Sequence, residues 1–210
     1  MNLVFLGPPG AGKGTIATKV KEHYGIPHIS TGDLFRKHIN EETELGLKVQ
    51  IILDRGELVT DDITIEMVRQ RLKEGDIAKG FILDGFPRTI PQAEALKDLA
   101  DISGVLNFES SKKTIIKRLS GRRIAKKSGR VYHIEYNPPK VAGKCDESGE
   151  DLIMRPDDSP ESISHRLEVY EQQTAPLINY YKTLGLLISI DAEPDPDTVF
   201  TRVKEMLKGL

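Results

Sequence analysis

One cysteine in 210 residues, Cys145, leaves no partner for an internal disulfide and no pair for a cysteine-based zinc site. Such a chain suits a reducing cytosol. Positive charge is not in excess: 30 Lys and Arg stand against 32 Asp and Glu, a formal charge of −2. No bulk cationic field gathers nucleic acid or anionic lipid, so any phosphate must be held locally. No apolar run approaches the ~20 residues of a membrane span, and no membrane association is expected. The apolar start, Met1 to Leu6, lacks a basic segment and runs straight into glycines and prolines, so no targeting segment is expected and a cytoplasmic protein is. What remains is ordinary for a globular chain: 38% hydrophobic and 30% charged residues, with 18 Gly and 12 Pro. That is enough for one buried core with small insertions.

Short apolar runs at Asn2–Leu6, Ile26–Ile29, Phe81–Leu83, Val105–Phe108 and Leu186–Ile190 read as buried strands, with helix-length segments between most of them. Five such strands imply an α/β fold with a parallel sheet covered on both faces, its ligands along the edge where the strands end. The first strand leads through GPPGAGKGT into a helix from Lys13 to about Tyr24. Thr31 to Thr60 reads as a helical insertion broken by Gly32, Gly46 and Gly56, and Gly121 to about Asp158 as a turn-rich β flap. A long helix restarts at Ser159, the N-cap, with Pro160 in its first turn. Ile163, Leu167, Tyr170, Leu177, Ile178 and Tyr181 share one face with Arg166 on its border, and Pro176 should kink or break the helix.

Four glycines fall within Gly7 to Gly14, where average composition would place about 0.7 in eight residues. Such density lets backbone N–H groups converge on an anion at a helix N-terminus, and Lys13 adds a full charge for the β and γ phosphates. A ligand-free strand-to-helix turn is the plainer alternative. The hydroxyl arrives at Thr15, one residue later than in the usual loop, because Gly14 follows Lys13. Asp84, ending the strand of GFILDGFPRT, is placed to orient Mg²⁺ or its waters, or else caps the next turn. Arg88, read as an exposed residue after rigid Pro87, offers a planar fork for a phosphate. Arg36, Arg118, Arg122, Arg123, Arg155 and Arg166 also lie off simple surface-helix positions. Singly each reads as surface; together they suit a reaction between two phosphorylated molecules, whose roughly six negative charges one Mg²⁺ cannot cancel. No general base stands out, since His23, His28, His38, His133 and His165 form no cluster and read as structural or surface residues. A phosphate acceptor, already ionised at neutral pH, needs none.

GPPGAGKGT at 7–15, GIPHISTGDLFR at 25–36, GELVTDD at 56–62, GFILDGFPRTIPQA at 80–93, GRR at 121–123, GRVYHIEYNPPKVAGKCD at 129–146, RPDD at 155–158 and YEQQTAPLINYY at 170–181 together resemble the adenylate kinase family. The resemblance implies a P-loop three-layer fold with a five-stranded parallel sheet. It divides the chain into a CORE of 1–29, 60–120 and 159–210, a helical AMP-binding domain of 30–59 and a small β LID of 121–158. The implied reaction is reversible, Mg-dependent transfer of the ATP γ-phosphoryl group to AMP, giving two ADP, by a chain expected to act as a monomer.

By the same resemblance, Gly10, Ala11, Gly12, Lys13, Gly14, Thr15, Arg118 and Arg122 hold ATP, with Val131 and Tyr132 at its base. Thr31, Arg36, Glu57, Leu58, Val59, Gly85, Phe86, Pro87, Arg88 and Gln92 hold AMP, and Arg155 and Arg166 engage the transferring and acceptor phosphates. Lys13, Arg36, Arg88, Arg122, Arg155, Arg166 and Asp84 carry the chemistry. Mg²⁺ is expected through water near Asp84 and Asp33. Asp157 and Asp158 pair with basic groups on closure or serve as helix-start acids. Adenine-accepting members carry Thr at the position of Thr31 and pyrimidine-accepting relatives tend to carry Ala, while the amide of Gln92 suits an adenine edge. Alternatives are a UMP or CMP kinase, a GTP switch, for which no Asn-Lys-x-Asp motif is present, and a nucleotide sensor without turnover. Many long-LID members hold zinc with two Cys-x-x-Cys pairs; here the positions read Ala125, Ser128, Cys145 and Ser148. No structural zinc is expected, and because Ala125 has no side-chain donor or acceptor, a polar network in its place must be incomplete or use neighbours such as Asp146 or Glu147.

Overall fold

In the computed structural model, which describes residues 1–209, five strands form one parallel sheet. They are β1 (Asn2–Leu6), β2 (His28–Ser30), β3 (Phe81–Asp84), β4 (Gly104–Glu109) and β8 (Leu187–Asp191), in the order β2-β3-β1-β4-β8. The second strand starts two residues later than the apolar run suggests. Pro27 has no N–H to give to the ladder, though its carbonyl still accepts from Ile82 at 2.9 Å, while Ile26 is buried ahead of the strand.

Side chains alternate across the sheet, so its central strands feed two cores. Leu3, Phe5, Leu106 and Phe108 pack with Ile16 and Val20 of α1 (Lys13–Tyr24) and Val199 and Val203 of α9 (Pro196–Leu207). Val4, Leu6, Leu83 and Val105 face Val68 of α4 (Asp61–Arg71), Ala93 and Leu96 of α5 (Ile90–Leu99), and Leu177 and Tyr181 of α8 (Pro176–Thr183). The two buried layers hold the C-terminal strand ends, and the loops after them, in fixed register.

Between β2 and α4 lie α2 (Thr31–Asn40) and α3 (Glu44–Asp54). Gly32 and Gly46 sit in their first turns and do not break them; the break falls at residues 41–43, where Glu42 takes φ 51°. Gly46 is needed for approach instead, since a Cβ there would stand 2.1 Å from the carbonyl oxygen of His38. After α6 (Lys112–Ser120) come β5 (Arg122–Ala125), β6 (Val131–His133) and β7 (Leu152–Ile153), a small antiparallel sheet in the order β6-β5-β7.

The chain re-enters helix at α7 (Pro160–Val169), where the Ser159 hydroxyl accepts from Ser162 N–H. Residues 170–174 then form one turn of π-helix, closed by Ala175 N–H donating to Tyr170 C=O at 2.8 Å. Pro176 cannot donate, and it opens α8 from the first-turn position that tolerates it. The wide turn splits the apolar face expected of one helix: Ile163 and Leu167 pack on Ile115 and Leu119 of α6, whereas Leu177 and Tyr181 join the sheet core.

Candidate active site

The loop Gly7–Gly12 follows β1 directly and delivers the chain to α1 through Gly12, which caps that helix at φ 92°, a conformation open to glycine. Lys13 folds back over the loop, donating from Nζ to Gly7 C=O at 2.7 Å and Pro8 C=O at 2.8 Å. Burial pushes its pKa down to about 8; Asp84 opposes this, and Arg88, Arg166 and Arg122 add to it. Asp84 ends β3, next to β1. Burial raises its carboxyl, but the His28 hydrogen bond, Lys13 and Arg88 outweigh burial and hold it below the usual range.

His28, read as structural or surface in sequence, is half-buried beside the candidate site: its Nε2 lies 3.2 Å from Asp84 Oδ2. The carboxylate, ionised and beside the loop lysine, fits a hydrated cation. A Cβ at Gly14 would stand 3.8 Å from Asp84 Oδ2, so the glycine leaves that flank open. Asp33 pairs with Arg36 at 2.5 Å, and its pKa, raised by burial, is brought down overall by Arg36, Arg155 and His28. Among the described residues no group of three or more His, Cys, Asp or Glu is placed to ligate a metal directly.

The arginines converge. Arg88 is half-buried and not exposed as its sequence context suggests; it donates from Nε to Gly85 C=O at 3.0 Å, and the Thr174 hydroxyl donates to its own carbonyl at 2.9 Å. Burial, then Arg166, lowers Arg88 to about 10, and burial, then Arg36 and Arg122, lowers Arg155 to about 9. Asp158, with its side chain fully buried, accepts from Arg122 Nε at 2.7 Å and Nη2 at 2.5 Å, and from Arg166 Nη1 at 3.0 Å. Arg166 also reaches Asp157 at 3.0 Å. Asp157 and Asp158 therefore pair with cations while also preceding a helix. Even with these acids the space holds a surplus of half-buried positive charge, an environment suited to a polyphosphate.

Thr31, Leu58, Val59, Gly85, Arg88 and Gln92 line a cavity between α2 and β3, with Glu57 at its edge. Thr31 donates its hydroxyl to Gly85 C=O at 2.9 Å, tying α2 to the loop after β3. Phe86 turns into the sheet core, and neither it nor Pro87 lines the cavity. On the loop side, Arg118 bridges Ala11 C=O and the carbonyls of residues 192–194, the closest being Ala192 at 2.9 Å. Glu193 anchors this stretch by accepting from Ser111 N–H and from the Thr114 hydroxyl at 2.6 Å, which draws its carboxyl down to about 2. Neither Glu193 nor the 192–194 carbonyls carries a sequence signal, because the loop after β8 meets α6 only through the sheet order. Arg123 turns away, donating to Ser120 and Arg122 carbonyls. Tyr132 is buried with Ala125 and Cys145 inside the small sheet, with partly buried Leu152 packed against them, whereas Val131 is exposed.

Around the four positions Ala125, Ser128, Cys145 and Ser148, bonds come from two acids. Glu150 accepts from Lys127 N–H, Ser128 N–H and the Ser148 hydroxyl, and Asp146 accepts from Lys140 N–H. Tyr132 accepts from Asp146 N–H at 2.8 Å and meets Cys145 Sγ at 3.5 Å. Glu147, expected here, pairs instead with Arg130.

Fold and site together define a P-loop phosphotransferase, with a glycine loop carrying Lys13 and a separate cavity lined in part by Arg88. The family model described as adenylate kinase matches residues 5–186. Identity is 55% over 204 residues to an adenylate kinase of Treponema denticola, spanning 97% of this chain and 98% of that one. It is 52% to one of Shouchella clausii (99% and 98% covered) and 48% to one of Bacillus subtilis (100% and 99%). The chain belongs to the adenylate kinase family.

Proposed function

We propose that the chain catalyses reversible transfer of the ATP γ-phosphoryl group to AMP, giving two ADP. The observation that carries this reading is the surplus of half-buried cations, Lys13, Arg88, Arg155 and Arg166, each lowered in pKa and gathered between the glycine loop and the second cavity. A hydrolase or a switch with one nucleotide has no use for the second site.

ATP lies along Gly10–Thr15 with Arg118 and Arg122 beside it and the backbone of Val131 and Tyr132 near its base. AMP takes the cavity of Thr31, Glu57 to Val59, Gly85 to Arg88 and Gln92, with its phosphate toward Arg36, Arg88 and Arg155. An ionised AMP oxygen attacks the γ phosphorus in line. The new P–O bond forms as the bond to the β-phosphate oxygen breaks, and the charge gathering there passes to Lys13, Arg122 and Arg166. No side chain has to take a proton, since the acceptor enters already ionised. Magnesium supplies charge neutralisation on the triphosphate, and Asp84 and Asp33 would hold its water shell. Segments 30–59 and 121–158 act as arms that close over the phosphates and exclude water as a competing acceptor. One copy supplies both sites, in keeping with a monomer, and the single cysteine suits a reducing cytoplasm.

A coupled assay with ATP and each of AMP, UMP, CMP and GMP tests the reading. AMP should be turned over with a kcat/KM at least about 100-fold above the others; comparable turnover of UMP or CMP would refute the acceptor.

A further inference from the structure

Asp61 opens α4, and its carboxylate is read most simply as an acid at a helix start. Its contacts say more. The single oxygen Oδ1 accepts from Gln92 Nε2 at 2.7 Å and from the Thr89 hydroxyl at 3.0 Å, residues at the start of α5. Gln92 is 1% exposed and lines the second cavity. At its other end, Oε1 accepts from Arg88 N–H at 2.8 Å.

These two partners are not interchangeable. A backbone N–H can only donate and a carboxylate only accept, so the Gln92 amide has one permitted orientation. A flipped amide would set its oxygen against Asp61 and its N–H₂ against Arg88 N–H, losing two bonds in a buried place. In the permitted orientation one N–H and one oxygen lone pair remain for a ligand, in fixed order. Adenine presents a ring-nitrogen acceptor beside an amine donor, and a 6-oxo purine presents the reverse.

We propose that Asp61 is a specificity-determining positioning residue: by holding the Gln92 amide in one orientation it makes the acceptor cavity select 6-amino over 6-oxo purine monophosphates. The proposal rests on the acceptor reading above and adds the residue that enforces it. Asp61 touches no substrate, and it acts through Gln92.

The test is steady-state kinetics with ATP and either AMP or inosine monophosphate, the 6-oxo analogue. Asp61→Ala should raise the KM for AMP about tenfold and cut the AMP-over-IMP preference by about tenfold or more. Its kcat should stay within threefold and its KM for ATP should not change. Because both bonds fall on one oxygen, Asp61→Asn can still accept them and should recover most of the preference. Asp62→Ala removes a neighbouring acid from the same helix start and should leave the preference as in the parent. If Asp61→Ala is too unstable to assay, Asp61→Ser, which keeps a side chain tolerated at helix starts but too short to reach Gln92, must show the same pattern. A preference within twofold of the parent in the Ala or Ser variant, an equal effect from Asp62→Ala, or no rescue by Asn overturns the role. Failure of the parent enzyme to use AMP overturns the acceptor reading instead.

Discussion

His28 and Asp84 are 56 positions apart in the chain and are joined, Nε2 to Oδ2, across the neighbouring strands β2 and β3. The imidazole fixes which way the carboxylate faces, while Lys13 and Arg88 help to keep it ionised. In His28→Ala the charge should persist and the orientation should not. The Mg²⁺ concentration giving half-maximal rate should rise about tenfold, and stability to urea should fall by about 1 kcal/mol. His28→Gln, which can donate from its amide, should recover most of both. An unchanged Mg²⁺ requirement in the alanine variant would show that the contact is only structural.

Lys13 links pH to stability and to binding with opposite signs. Its folded value of about 8 lies below the ordinary 10.5, so between those limits the unfolded chain binds more protons. The Lys13 contribution to the stability of the ligand-free protein therefore rises with pH across that window. The kcat/KM for ATP should fall as pH passes about 8, because a neutral amine gives up its attraction for phosphate. Lys13→Met should reduce the rise in melting temperature across the window, most clearly between pH 8 and 9, below the Arg155 value of about 9, and lower kcat by about 10²- to 10³-fold.

Asp158 carries Arg122 and Arg166 on one fully buried carboxylate. Asp158→Ala leaves two half-buried guanidinium groups without it, and should cost about 3 kcal/mol in chemical denaturation. Asp158→Asn keeps the shape and should cost less in stability while still lowering kcat by at least about tenfold. Equal kcat in the asparagine variant and the parent would remove Asp158 from any part in aiming the arginines.

The small antiparallel sheet is braced by Glu150 and Asp146. Treatment with EDTA should leave the melting temperature unchanged to within about 1 °C, whereas Glu150→Ala, which frees two backbone N–H groups, should lower it by roughly 2–4 °C. A chelator-sensitive transition would mean that a metal holds this region.

The parts legible in sequence were those written within a short stretch. Strand, glycine loop and lysine occupy adjacent positions, so β1, the loop and α1 follow from local spacing alone, down to Tyr24. Asp84 and Arg88 could be read the same way, flanking a glycine and a proline at a strand end. His28–Asp84, Asp61–Gln92 and Glu193–Ser111 could not. They join residues 56, 31 and 82 positions apart, and alternation of strands and helices does not reveal that β3 sits between β2 and β1. Glu150 was missed for a different reason: in a run rich in Gly, Asp and Ser, several turn registers are equally open, and which acid faces inward depends on the one chosen.

The wide turn at residues 170–174 has an effect that spreads along the rod it interrupts. Each residue of an α-helix advances the azimuth by about 100°, and the extra residue in this turn shifts the phase of everything after it. Upstream, Arg166 meets Asp157 and Asp158; downstream, Leu177 and Tyr181 face the sheet; between them Thr174 meets the Arg88 carbonyl. One irregular turn thus lets a single stretch of chain serve two masters, and deleting any one residue from it would swing either the lining of the sheet or the support of Arg88 out of line.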